Sequence, residues 1–343
     1  MPSPLHAAGV VLPVLAAPMA GDPGTPALVG AAASVGSLGF LGAGYKTAEA
    51  LARNIAAVRS SAATFGVNLF VPNPMPVDGD DFRHYRQAIR IEADRYGVDL
   101  GAGAPLEDDD LWRAKVDLLV ADPVPVVSFT FGLPEPTVVA ALRAAGTVVV
   151  QTVTSADEAV AAAASGADVL AVQAPAAGGH SGTWTPGVRP RSVALTDLVA
   201  AVRSAVALSV IAAGGLGTPE DVAAAMHAGA DAVMVGTALL RTDEAGTTAT
   251  HRAALADPAA RETVVTRVFT GRFARSLRND FIDRYDSIAP AGYPAIHHLT
   301  SPLRKAAAAA GDPERLHLWA GTGYRQSTDG PAAAVLTRLA ERL

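Results

Sequence analysis

Along the chain, short runs of valine, leucine and alanine alternate with longer alanine-rich windows of helical spacing. The β-type runs fall at 10–16, 39–41, 64–71, 124–130, 147–153, 169–173, 208–212 and 232–236. Helices are predicted between most of them, at 25–35, 47–60, 136–145, 156–165, 195–206 and 219–227. Strands that are apolar almost throughout have both faces buried, and strands joined by helices pair in parallel. Eight such units predict a (β/α)₈ barrel.

Three glycines mark helix-to-strand turns: Gly146, Gly166 and Gly229. A glycine just past a helix takes a left-handed turn at little steric cost. The last two share the pattern Gly-Ala-Asp before apolar β residues, which hints at an internal half-repeat. The alternation breaks twice. Residues 72–121 begin with Pro72, Pro74 and Pro76, followed by a charged helical window at 80–96 and a second helix at 108–119. From about residue 242 the pattern becomes helical with irregular links, with a lone β segment expected at 261–270 and a last helix at 329–343. The expected organisation is one unit spanning 1–343, with a barrel core at about 8–75 and 122–241. Accessory segments at about 76–121 and 242–315 are expected over the catalytic mouth, and 316–343 is expected to pack back on the barrel. Decoration of the rim for stability is the plainer alternative.

At 343 residues the chain exceeds the roughly 250 typical of such a barrel, leaving room for those additions. Half of the residues are hydrophobic and 17% are charged, enough for a large core. The net charge of −6 and the lack of a basic cluster argue against nucleic acid. With no cysteine, disulfides, iron–sulfur clusters, thiolate zinc sites and cysteine nucleophiles are excluded. Residues 1–10 lack the pattern of a secretion signal, and the richest apolar run, 199–213, is broken by Arg203 and two serines. A cytoplasmic protein without membrane spans, monomeric or homodimeric, is expected.

Candidate chemistry lies where strands end. After the run at 208–212 come Gly214 and Gly215, then Thr218 and Pro219 as a helix cap and first position. After the next run come Gly236 and Thr237. Glycine turns expose backbone N–H groups to a phosphate, and in this fold the loops after strands seven and eight frequently share one. The loop after Gln173 holds Gly178, Gly179 and His180. An imidazole titrates near neutrality, so His180 suits removal of a carbon-bound proton or a hydrogen bond to an anion; a structural histidine is the plainer reading. Ala17, Pro18 and Met19 end the first strand with small residues that let backbone lie against a flat ring, or merely turn the chain. Asn68 and Gln151 are amides in apolar strands, satisfied either by a heteroaromatic ligand or within the core.

Taken in order, these elements resemble the nitronate monooxygenases. The resemblance rests on Ala-Pro-Met-Ala-Gly at 17–21, Gly-Val-Asn at 66–68, Ala-Gly-Gly-His at 177–180, Ala-Ala-Gly-Gly at 212–215 and Gly-Thr at 236–237. It continues into Leu-Trp-Ala-Gly-Thr-Gly-Tyr at 318–324. It implies a non-covalent flavin mononucleotide (FMN), no metal, and oxidative denitrification of a nitronate with O2. By the same resemblance Ala17, Pro18, Met19 and Asn68 face the flavin ring, while Gln151 and Gln173 line the ring or ribityl chain. Gly178, Gly179, Gly214, Gly215, Gly236 and Thr237 belong to the cofactor site, His180 is the active-site histidine, and Tyr324 and Tyr45 belong to the substrate pocket. Many relatives carry glutamate before Ala-Gly-Gly-His and arginine after it; this chain has Ala176 and Ser181.

The same scaffold resembles NAD(P)H-dependent reductases of the enoyl-(acyl carrier protein) reductase II and NADH:quinone reductase kinds, which share the Gly-Gly-His and double-glycine elements. A noncatalytic flavin-binding protein is a third reading. Other signals carry less. His297, His298 and His84 show no carboxylate at metal spacing and suit a surface or lid. The acidic run at 107–110 suits a helix N-terminus, and Arg267, Arg272, Arg275 and Arg278 suit ion pairs or an acidic substrate.

Overall fold

The structure, a computed structural model, describes residues 4–260 and 262–343. Its strands in chain order are β1 (Val14–Ala16), β2 (Phe40–Gly42), β3 (Gly66–Phe70), β4 (Val126–Thr130), β5 (Val148–Val153) and β6 (Val169–Gln173). They continue with β7 (Gly179–His180), β8 (Ser209–Ala213), β9 (Ala232–Val235), β10 (Thr263–Thr266) and β11 (Ala274–Leu277). Eight of these form one parallel sheet in the order β1-β9-β8-β6-β5-β4-β3-β2. A parallel bridge from Ala16 to Gly39 joins its two edges, so the sheet curls into a (β/α)₈ barrel.

The two-residue period of a strand sorts the core into layers. Leu15, Phe40, Val126, Val150, Val169, Ile211 and Met234 fill the barrel interior. Their neighbours Val14, Leu170, Val210 and Val233, with Val67, Val127 and Val149, face the surrounding helices. The predicted strands and helices recur within a few residues, because apolar period and local caps act together. Thr25 and Thr218, for example, each accept a backbone N–H of the first turn and are followed by proline.

The Gly-Ala-Asp turns prove to be one device used twice. Gly166 and Gly229 are left-handed, with φ of +92° and +110°. Asp168 then accepts the N–H of Val149 at 2.9 Å, and Asp231 that of Val210 at 2.8 Å. Each aspartate also meets an arginine of the helix that leads into the neighbouring strand, Arg143 at 3.1 Å and Arg203 at 3.7 Å. Each turn thereby ties the start of one strand to its neighbour and fixes their register.

Beyond the barrel, the helix Gly79–Asp94 and the helices Asp280–Tyr285 and Ala295–Ala309 share an apolar cluster built on Phe82, Tyr85, Phe269, Phe281 and Ile296. The β segment expected to stand alone is paired. β10 joins β11, which joins β7, in an antiparallel sheet. Arg261, the first residue of that expectation, lies outside the described residues. Sequence proximity cannot announce such a sheet, since β7 and β11 are about ninety residues apart. The last helix, Ala332–Leu339, buries Ala332, Val335, Leu336 and Leu339 in the barrel's outer cluster. No helix among the described residues is long and apolar enough to cross a membrane.

Candidate active site

A cavity of about 960 Å³ opens at the C-terminal ends of the barrel strands. Ala17, Pro18, Met19, Asn68, Gln173, Gly178, Gly179, His180, Gly214, Gly215, Gly236 and Thr237 all line it, as does Tyr45. Parallel strands bring these distant residues together because each ends on the same face of the barrel.

One wall is backbone. Gly214 has φ of +112°, and a Cβ there would stand 2.8 Å from the Ala174 carbonyl oxygen. A Cβ on Gly178 would stand 2.5 Å from the Gly321 nitrogen, so both positions require glycine. The N–H groups of Gly214, Gly215 and Thr237 donate to no acceptor among the described residues. Three free donors at the ends of the adjacent strands β8 and β9 form a cradle for an anion such as a phosphate. The segment around Gly321 seals this wall: Gly321 N–H donates to Thr237 Oγ1 at 2.9 Å, and Thr322 N–H to the Ala176 carbonyl at 3.0 Å.

The two amides on the floor have distinct tasks. The Asn68 amide nitrogen donates to Ser128 Oγ at 2.9 Å and Thr130 Oγ1 at 3.0 Å, which leaves its carbonyl oxygen for an occupant. Gln173 spans the glycine loop, accepting from Gly182 N–H at 2.7 Å and donating to the His180 carbonyl at 3.3 Å. It thus closes the loop that presents His180.

His180 sits at the end of the three-stranded sheet, paired with Ala274. Its Nε2 is 2.9 Å from Thr270 Oγ1. Phe131, Tyr293 and Trp319 enclose the ring at 5.7, 5.7 and 5.5 Å between centroids. Burial, helped by the positive charges of Arg272 and Arg304, pushes its pKa down to about 3. The imidazole is therefore neutral at physiological pH, a hydrogen-bonding group rather than a cation.

Opposite lies an aromatic and charged rim. Tyr45, in the left-handed region at φ 65°, stacks on His297 at 4.1 Å, and its hydroxyl is 3.1 Å from that of Tyr293. Burial pushes the Tyr45 hydroxyl up to about 12 and the Tyr293 hydroxyl well above its usual range, so both remain protonated. The acidic run is not a helix cap: the helix begins at Trp112, and Asp110 accepts the Tyr45 N–H at 2.8 Å and pairs with buried Lys115 at 2.7 Å. Burial nevertheless dominates and raises the Asp110 pKa. His298 does have a carboxylate partner, Asp108 at 2.7 Å, brought near by folding across 190 residues. His84 is exposed.

Gln151 and Tyr324 lie off the cavity. On β5 the side chains of Val150 and Thr152 face the barrel interior, so Gln151 between them faces outward. Its amide is satisfied by the carbonyls of Gly132 at 3.0 Å and Thr152 at 3.1 Å. Tyr324 is 4% exposed in a cluster with Leu240, Leu255 and Leu318, its hydroxyl donating to the Ala260 carbonyl at 3.3 Å. It braces the turn from which Gly321 and Gly323 reach the cavity. Neither Ala176 nor Ser181 lines the cavity, so these departures touch it only through the loop. Phe131, Tyr293 and Arg304 line it without having been singled out. Phe131 adopts φ 82°, a backbone state that no sequence pattern signals for a phenylalanine.

Comparison with known proteins agrees with this geometry. The sequence profile of the nitronate monooxygenase family matches residues 3–341. A probable nitronate monooxygenase of Staphylococcus aureus (strain Newman) is 32% identical over 346 residues, covering 96% of this chain and 94% of its own length. Among solved structures, a nitroalkane oxidase from Streptomyces ansochromogenes is 44% identical with a TM-score of 0.93, covering 99% of this chain and 98% of that one. FabK from Thermotoga maritima, 24% identical with a TM-score of 0.75 over 100% and 96% of the two chains, shares the fold. With the match running through barrel, glycine cradle and accessory segments alike, this chain belongs to the nitronate monooxygenase family of oxidoreductases.

Proposed function

We propose that the chain oxidises alkyl nitronates, and nitroalkanes once deprotonated, with FMN as cofactor and O2 as oxidant, yielding a carbonyl compound and nitrite. The observation that carries this reading is the meeting, in one cavity, of three unpaired backbone donors and the neutral His180 imidazole. The donors of Gly214, Gly215 and Thr237, with Gly179 and Gly236 leaving room, would hold the FMN phosphate. The backbone of residues 17–19 and the Asn68 carbonyl would face the flavin ring, and Gln173 and Gly178 would keep the adjoining loop in place. When bound, FMN supplies the electron acceptance that no side chain here offers.

His180 would bind the nitronate oxygens, with Thr270 fixing its ring. Its depressed proton affinity makes it a poor base, and the approach of an anion restores that affinity. The ring of aromatic side chains excludes water and strengthens those contacts.

The test begins by releasing and identifying the chromophore of the purified protein, which is expected to be FMN. The protein is then mixed anaerobically with propionate 3-nitronate or with NADH while flavin absorbance is followed. Bleaching by the nitronate and not by NADH supports the proposal. Bleaching by NADH alone replaces it with a reductase, and a colourless protein removes the cofactor from the reading.

A further inference from the structure

Two guanidinium groups stand near His180 without a carboxylate partner. Arg272 is 1% exposed and Arg304 4% exposed, and neither forms an ion pair with a described residue. Arg304 donates to the Thr300 hydroxyl and the His297 carbonyl. Arg272 donates one hydrogen bond, to the Thr183 carbonyl, while its Nε and its other terminal nitrogen have no partner. The carboxylate whose field reaches it, Glu158, is already engaged by Thr154, Thr183 and Trp184.

Arg272 differs from its sequence neighbours. Arg267 and Arg275 donate to the Ala289 and Pro175 carbonyls, and Arg278 pairs with Asp283 at 2.6 Å. The Arg272 guanidinium lies 3.9 Å from the centroid of the Phe131 ring. Phe131 lines the cavity and meets the His180 ring edge-on, whereas Arg272 does not reach the cavity surface. A buried, half-satisfied cation is costly unless something negative comes within its field. The aromatic ring offsets part of that cost; an oxyanion in the cavity offsets more.

We propose that Arg272 is a positioning residue whose unpaired charge, acting through Phe131 and His180, is the fixed counter-charge for a small planar oxyanion bound at His180. The inference rests on the reading of His180 as a substrate contact. It adds the source of the anion's stabilisation, placed behind the wall where it costs no reorganisation on binding. A packing strut, the competing role, requires the guanidinium's shape and not its charge.

The probe is sodium nitrate, a planar oxyanion that needs no turnover, and the readout is the ring NMR signal of His180, assigned with His180→Gln. Wild type, Arg272→Met and Arg272→Lys are compared. In the wild type, His180 is expected to stay neutral down to about pH 5. In Arg272→Met its midpoint should rise by about one unit, and nitrate should bind on the order of tenfold more weakly. Arg272→Lys should retain most of the nitrate affinity. Unchanged nitrate affinity and midpoint in Arg272→Met overturn the proposal, and so does a lysine variant as impaired as the methionine one. Should the methionine variant fail to fold, a wild-type His180 titrating near 6.5 overturns it instead. Because no turnover is involved, failure to oxidise nitronates leaves this test standing.

Discussion

At the scale of single residues, His180 joins the accessory sheet to the cavity. Its ring is anchored to Thr270 and enclosed by aromatic side chains. Asparagine at this position can hydrogen-bond to Thr270 but cannot accept a proton or follow the anion's charge. His180→Asn is expected to keep bound flavin and lose about 10²–10³-fold in kcat/KM on nitronates, checked by flavin absorbance and steady-state oxygen uptake. Gly214→Ala addresses the other wall. Its Cβ would meet the Ala174 carbonyl at 2.8 Å in a left-handed backbone state, so the loop must shift and the cradle open. The variant is expected to purify with well under half the flavin of the wild type; full occupancy would show that the cradle does not hold the cofactor.

At the scale of elements, the accessory helices are tied together by one buried carboxylate. Glu92, on the helix Gly79–Asp94, is fully buried and accepts from Arg315 Nε at 2.9 Å and from the Tyr285 hydroxyl at 3.1 Å. Burial pushes its pKa up, but Arg315 and Tyr285 outweigh that and hold it below the usual range. Glu92→Ala removes the hydrogen-bonded carboxylate from buried Arg315 and leaves it only the more distant Asp280 at 3.8 Å and Asp312 at 3.9 Å. It should lower unfolding free energy by about 3 kcal/mol or more, read from urea titration at pH 7. These contacts join residue 92 to residues 285 and 315, a link that charge patterning along the helix could not reveal. The helix itself was legible, because its apolar positions Phe82, Tyr85 and Ile89 recur at helical spacing.

At the scale of the molecule, burial of neutral histidines sets the acid limit. His180 is held down to about 3 and His251 to about 4, in both cases mainly by burial. His297 and His317 are also pushed well below their ordinary value by burial and nearby Arg304. For a group whose folded pKa is depressed, the unfolded chain binds protons first. The stabilisation is complete above the unfolded value near 6.5, and is lost as pH falls toward the folded values. Urea midpoints should therefore begin to drop between pH 7 and pH 5. Constant midpoints down to pH 4.5, with loss only in the carboxylate range, would show these rings to be solvated instead.

Local sequence patterns specify the barrel and most of the cavity wall. Strand ends, glycine turns and helix caps are local, and parallel βαβ units can place their strand ends only on one face. Gly214, Gly236, Asn68 and His180 could thus be located before any contact was known. Tertiary structure alone decided which way an amide faces and what surrounds a charge. Gln151 turned outward because one residue of strand register reverses a side chain, and Tyr324 became a brace because its neighbours come from residues 240–260. The pairing of β7 with β11, the Lys115–Asp110–Tyr45 link and the contact of Arg272 with the Thr183 carbonyl all join segments far apart in the chain. Their energies depend on burial and on partners that come together only in the folded chain.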